Sequence, residues 1–126
     1  MQNSVSGHPP HLLGIRGEAL AAKHLRERGW TIVERNYRLG RREIDLIVMR
    51  GETLAFVEVK TRSGRRWGLP EEAVTARKRR DIEAVASAFL ARAGPGDMDI
   101  RFDVVSIEIH VGQPVHLEHI TDAWRP

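Results

Sequence analysis

A chain of 126 residues with 41% hydrophobic and 29% charged side chains suits one globular domain and excludes a fibrous or wholly disordered protein. It has no cysteine, which excludes disulfides, thiolate zinc sites and cysteine nucleophiles, and no apolar run long enough to span a bilayer. The net charge of +3 is spread unevenly, because Arg35 to Arg80 holds 13 basic and only 6 acidic residues.

Met1 to Pro10 is polar, contains Pro9-Pro10, and reads as a flexible leader to a single domain over 11–126. No basic stretch followed by an apolar one opens the chain, so no secretory signal is expected and a cytoplasmic location follows. His11 to Arg28 predicts a helix stopped at Gly29. At helical spacing Gly14, Glu18, Ala21, Ala22 and Leu25 form one stripe. A carboxylate inside a packing stripe is unfavourable unless paired. Glu18 is therefore either a third acid aimed at the centre described next, or the partner of an arginine or a helix-end amide. Trp30 to Tyr37 reads as the first strand.

Glu43 to Met49 and Leu54 to Lys60 then read as a hairpin whose loop, two residues at Gly51-Glu52 or four from Arg50 to Thr53, gives one and the same register. Its register sets Asp45 opposite Glu58 and Glu43 opposite Lys60. Side chains alternate along a strand. Glu43, Asp45, Glu58 and Lys60 are thus expected on one face, and Ile44, Leu46, Val48, Ala55, Val57 and Val59 on the other. Opposed like charges destabilise a strand pair, since opposed Cβ atoms lie only about 4.5–5.5 Å apart. Two carboxylates so placed want a cation between them, and hard divalent ions such as Mg²⁺ accept one or two carboxylates plus waters and phosphates. Lys60 points into the same space and could orient a water or stabilise charge on a phosphate. The plain alternative is a solvated strand end with a Glu43–Lys60 ion pair, which leaves the Asp45–Glu58 contact unexplained.

Thr61 to Leu69 is rich in arginine and glycine and carries Trp67, which could stack on a base or fold onto the core. Pro70 suits the first turn of a helix and Glu71-Glu72 its positive end. Val74, Ile82, Val85, Ala86, Phe89 and Leu90 continue a helical apolar face, with Thr75 as a cap where the helix breaks and restarts. Ala93-Gly94-Pro95-Gly96 ends it. Ile100 to Ile109 and Val115 to Thr121 read as the last strands. The order predicts an α/β fold, a sheet covered by helices on both sides. Arg42, Arg62, Arg65, Arg66, Arg77 and Lys78 are the candidate contacts to a polyanion, although a basic run also reads as solvated surface.

Several of these residues form an ordered set: Gly14, Gly17-Glu18 and Ala21; Arg35-Asn36-Tyr37-Arg38; Glu43-Ile44-Asp45; Phe56 to Arg62; Pro70, Glu72-Ala73-Val74 and Lys78; and Arg101 to Val105. The set resembles the YraN-like family, placed among the restriction-endonuclease-like, PD-(D/E)XK nucleases. That resemblance implies a restriction-endonuclease-like fold, a central mixed β-sheet flanked by helices with core order αβββαβ and an extra C-terminal strand. It implies an Mg²⁺- or Mn²⁺-dependent deoxyribonuclease, structure-selective for branched or repair and recombination DNA. Glu18, Asp45, Glu58 and Lys60 would be catalytic, the three carboxylates holding the metal. Arg42 departs from the glycine usual before the Glu-Ile-Asp run, and the prolines of the motif's name are absent. A resolvase-like activity would further imply a homodimer. The alternative is a nucleic-acid-binding or accessory protein without turnover, one that recruits a DNA motor or repair enzyme.

Overall fold

Runs of period two make a sheet in this protein, and runs of period 3.6 cover it. The structure, a computed structural model, describes residues 10–63 and 74–126. Met1 to Pro9 of the expected leader, Arg65, Arg66, Trp67 and Pro70-Glu71-Glu72 therefore lie outside the described residues, and Pro10 opens the first helix. In chain order the elements are α1 (Pro10–Glu27), β1 (Thr31–Leu39), β2 (Arg42–Arg50), β3 (Thr53–Ser63), α2 (Ala76–Ala93), β4 (Asp99–Ile109) and β5 (His116–Ile120). This is the αβββαβ core with a further C-terminal strand.

The five strands lie in the order β1-β2-β3-β4-β5. The β3–β4 pair is parallel and the others are antiparallel. A parallel neighbour needs a long crossover, and α2 lies on that crossover. Thr75 caps α2, its hydroxyl accepting from Lys78 N at 3.1 Å, an arrangement worth about 1 kcal/mol. Gly94 ends α2 in the left-handed region, φ 58, and donates its N–H to Leu90 O, where any side chain would be strained.

Each face of the sheet has its own core. Ala21, Ala22 and Leu25 of α1 pack with Leu46, Val48, Ala55, Val57, Val105 and Ile107. Ile82, Val85, Ala86 and Phe89 of α2 pack with Ile44, Ile47, Phe56, Phe102 and Trp124. Phe56 is fully buried, its ring 5.9 Å from Phe89 and 5.6 Å from Phe102. Burial of each such large apolar side chain contributes about 1.5–3 kcal/mol.

One feature of the sheet departs from the expected register. The β2–β3 ladder runs from Arg50–Thr53 to Leu46–Val57 and stops there. Both strands continue, β2 paired with β1 as far as Arg42 and β3 paired with β4 as far as Ser63. The sheet is forked. Ile44 turns to the α2 core while Leu46 and Val48 face α1, so the simple alternation expected of Ile44, Leu46 and Val48 breaks at Asp45. The expected Glu43–Lys60 opposition also fails: Glu43 pairs instead with Arg38 of β1, at 3.4 Å. Arg62 lies within β3, opposite Glu108, and not in the loop expected after Lys60. Among the described residues no helix is long and apolar enough to cross a membrane.

Candidate active site in the fork of the sheet

The fork leaves backbone groups without ladder partners, and side chains take their place. The Val59 N–H, just past the last β2–β3 pair, donates to Asp45 Oδ2 at 2.8 Å. Glu58, on the other prong, is only 6% exposed. Its Oε2 lies 3.7 Å from Lys78 Nζ of α2, and its buried Oε1 has no hydrogen-bond partner. Asp45 and Glu58 are near enough for each carboxyl to act on the other's charge. The pair expected from the hairpin therefore meets, through divergence of the strands and not through a ladder position.

Its electrostatics follow from that crowding. Burial first, and then the Glu58 charge, push the Asp45 carboxyl up to about 8 against the pull of the Val59 hydrogen bond. Burial also raises Glu58, opposed by the Lys78 charge, the contact with Asp45 and the Lys60 charge. A proton kept on Asp45 relieves the repulsion, and a divalent cation would do the same without it.

Glu18 stands beside this pair and not within it. Its Oε1 accepts from Asn36 Nδ2 of β1 at 2.9 Å. Burial, with Asp45 and Glu43 nearby, raises its carboxyl, while Asn36 and Arg35 oppose the shift. Among the described residues no three acidic or imidazole side chains are gathered tightly enough to enclose a metal ion. Asp45 and Glu58 thus stand together with Glu18 beside them, its carboxylate engaged by the Asn36 amide. Of the two openings weighed for Glu18, an arginine or helix-end partner gives way to an asparagine two strands from Glu58.

The basic residues divide. Lys78 leans onto Glu58 as its helical position requires. Arg42 is tied to Asp81 of α2 at 3.4 Å. Arg77 and Arg80 are exposed, whereas Arg79 turns away, donating to Val74 O at 3.1 Å and lying 5.4 Å over the Trp124 ring.

A second buried acid was not singled out by its sequence. Asp103 of β4 is fully buried. It accepts from Arg101 at 3.2 and 2.8 Å, from the Asp122 N–H at 2.9 Å, and meets His119 Nε2 at 2.8 Å. Burial alone would raise its carboxyl, yet the His119, Arg101 and Asp122 hydrogen bonds together hold it below its usual value. Trp30 closes the cluster, its ring 5.4 Å from the Arg101 guanidinium and edge-on to His119 at 6.3 Å.

Fold and site together define an α/β protein whose central sheet forks around an adjoining pair of acids. The model of the Uncharacterised protein family UPF0102 matches residues 17–107, and the chain belongs to that family, the one its motifs resemble under the name YraN-like. A UPF0102 protein of Geobacter sulfurreducens is 44% identical over 93% of this chain and 91% of its own length. One of Rhodococcus jostii is 47% identical over 89% and 95%. Among solved structures, the Pyrococcus furiosus SfsA in complex with Ca²⁺ matches 89% of this chain and 64% of its own at a TM-score of 0.38 and 12% identity, a distant likeness from which no residue or activity is carried over.

Proposed function

We propose that this protein is a divalent-metal-dependent endonuclease that hydrolyses DNA phosphodiester bonds, with branched or repair and recombination DNA as its substrate. The observation that carries the reading is the buried, unpartnered Glu58 Oε1 beside Asp45. Buried acceptors without partners are rare and costly, and two oxygen donors so placed fit Mg²⁺ or Mn²⁺. Asp45 and Glu58 would hold the ion between the prongs. When bound, such an ion lowers the pKa of water and polarises a phosphoryl oxygen.

The chain's own groups do the rest. Lys60, two residues beyond Glu58, orients the attacking water and offsets charge developing on the phosphate. Lys78 balances Glu58 from α2 and turns its remaining N–H donors outward. Arg77, exposed at the start of α2 beside backbone amides that favour phosphate, meets the flanking backbone. Arg42 and Arg62 would add to these contacts.

The test is a panel of linear, flapped, forked and four-way DNA with Mg²⁺ or Mn²⁺. Cleavage of some member by the wild type and none by Asp45→Asn supports the nuclease. Equal cleavage by both proteins indicates a contaminant and defeats it. Binding across the panel without cleavage favours the accessory reading, in which the basic surface recruits DNA to a motor or repair enzyme.

A further inference from the structure

Asn36 is one of two non-glycine residues with positive φ among the described residues, at φ 50. Asparagine is among the few residue types that tolerate this region. Strained backbone persists only where its surroundings hold it, and it gathers at functional sites. Asn36 lies between the Arg35–Leu46 and Tyr37–Ile44 pairs of β1 and β2, which is the register position of Asp45. Its side chain is exposed and donates to Glu18 at 2.9 Å. An exposed hydrogen bond from an amide to a carboxylate competes with water for both partners, so stability alone does not account for the strain.

Two further features bring Glu18 to this spot. Gly17, the residue before it, is buried against β3, where a Cβ would run into Thr61 Oγ1 and sit 2.9 Å from Thr61 Cβ. Glycine therefore lets α1 settle directly above the strand that carries Glu58 and Lys60. The carboxylate so delivered faces the like charges of Asp45 and Glu43, with Arg35 as the opposing cation. Repulsion would swing an untethered Glu18 out to solvent.

We infer that Asn36 is a positioning residue of the nuclease site, its left-handed backbone and amide holding the Glu18 carboxylate beside Asp45 for service to the bound cation. This rests on the function proposed above. Partners that orient metal-site groups from outside the ligand set are worth roughly 10–100-fold in metal affinity or activity.

Asn36→Gly is the suitable variant, since glycine accepts φ 50 and removes only the amide. We expect Mn²⁺ binding, followed by calorimetry, to weaken about tenfold, with metal-free DNA affinity and thermal midpoint unchanged. The kcat should fall while KM for DNA holds. In a Glu18→Gln background the Asn36→Gly change should have no further effect, because the amide acts through that carboxylate. If glycine loosens the fold, Asn36→Asp, also at home at positive φ, lacks the donors and should weaken Mn²⁺ binding likewise. Unchanged Mn²⁺ affinity in a folded Asn36 variant, or losses that add to those of Glu18→Gln, would overturn the positioning role and leave the nuclease reading standing. If the wild type takes up no Mn²⁺, the nuclease reading falls and the role of Asn36 falls with it.

Discussion

Asp103 and Glu58 are both buried acids on neighbouring, parallel strands, and their surroundings are opposite. Asp103 has partners on β4, on β5 and in the turn after it, and its carboxyl is held below the usual range. Glu58 has one cation at 3.7 Å, a second acid against it, and an oxygen with no partner. The same residue class is thus used once to close a structure and once to leave it open. Polar satisfaction, more than burial or charge, separates the two, because an unsatisfied buried oxygen costs stability that only a ligand can return.

The comparison breaks most sharply at the closed end. Asp103→Ala leaves Arg101 and His119 facing each other without their acid and should cost about 3–5 kcal/mol, read as a lowered denaturant midpoint. A destabilisation under about 1 kcal/mol would mean that the cluster is not the clamp described.

At the open end the sign reverses. Glu58→Gln removes the buried repulsion with little change of shape and should stabilise the metal-free protein by about 0.5–2 kcal/mol, while abolishing Mn²⁺ binding and cleavage. Lower stability in the variant would contradict the open site.

Titration sharpens the contrast. Asp45, raised to about 8, keeps a proton that the unfolded chain releases near its ordinary value of about 3.9. The folded state binds more protons across that window, so metal-free stability should fall as pH rises from about 4 to about 8. The slope should flatten in Asp45→Asn. Asp103, held below its usual value, acts in the other direction. Its contribution is complete above the unfolded value of about 3.9 and is lost as pH falls through the lower folded value. Denaturant midpoints from pH 5 to 8.5, compared between the wild type and Asp45→Asn, read the Asp45 contribution.

The smallest effect belongs to the rim. Arg77→Ala should leave the thermal midpoint unchanged and reduce the log–log salt dependence of DNA binding by about 0.9, one phosphate contact. An unchanged slope would assign Arg77 to solvated surface.

Much of this was legible along the chain because it depends on local rules. The turn at Gly51-Glu52 set the register, Gly94 marked the end of α2 and Thr75 a cap within a helix expected from Pro70, and small residues marked the packed stripe of α1. Counting through the hairpin put Asp45 level with Glu58, although the ladder that the count assumes stops at Leu46–Val57. What the counting missed was non-local. Ile44 changes face because β2 leaves β3 for β1 alone, which no periodicity within the hairpin reveals. Asn36 reads as an ordinary polar residue in an edge strand until its φ is known. Arg101-x-Asp103 looks like plain alternation, since the decisive partner, His119, stands on the next strand. A buried polar residue declares its role through its partners, and partners far apart in sequence are invisible to spacing.

The fork has a mechanical consequence. Beyond Leu46–Val57 no ladder bond ties β2 to β3, so hydrogen bonds of the sheet do not set the width of the opening. The Val59–Asp45 hydrogen bond spans it, and the helices lace it, one on each face. α1 grips β3 at Gly17 against Thr61 and β1 at Glu18 against Asn36. α2 grips β3 through Lys78 to Glu58 and β2 through Asp81 to Arg42. The first lace is steric contact and a neutral donor, indifferent to ionic strength. The second is two ion pairs with exposed cations, which salt screens and a competing phosphate can draw off. The aperture around the acids is therefore fixed on one face and adjustable on the other, and the adjustable face is the one that carries Arg42, Arg77 and Lys78.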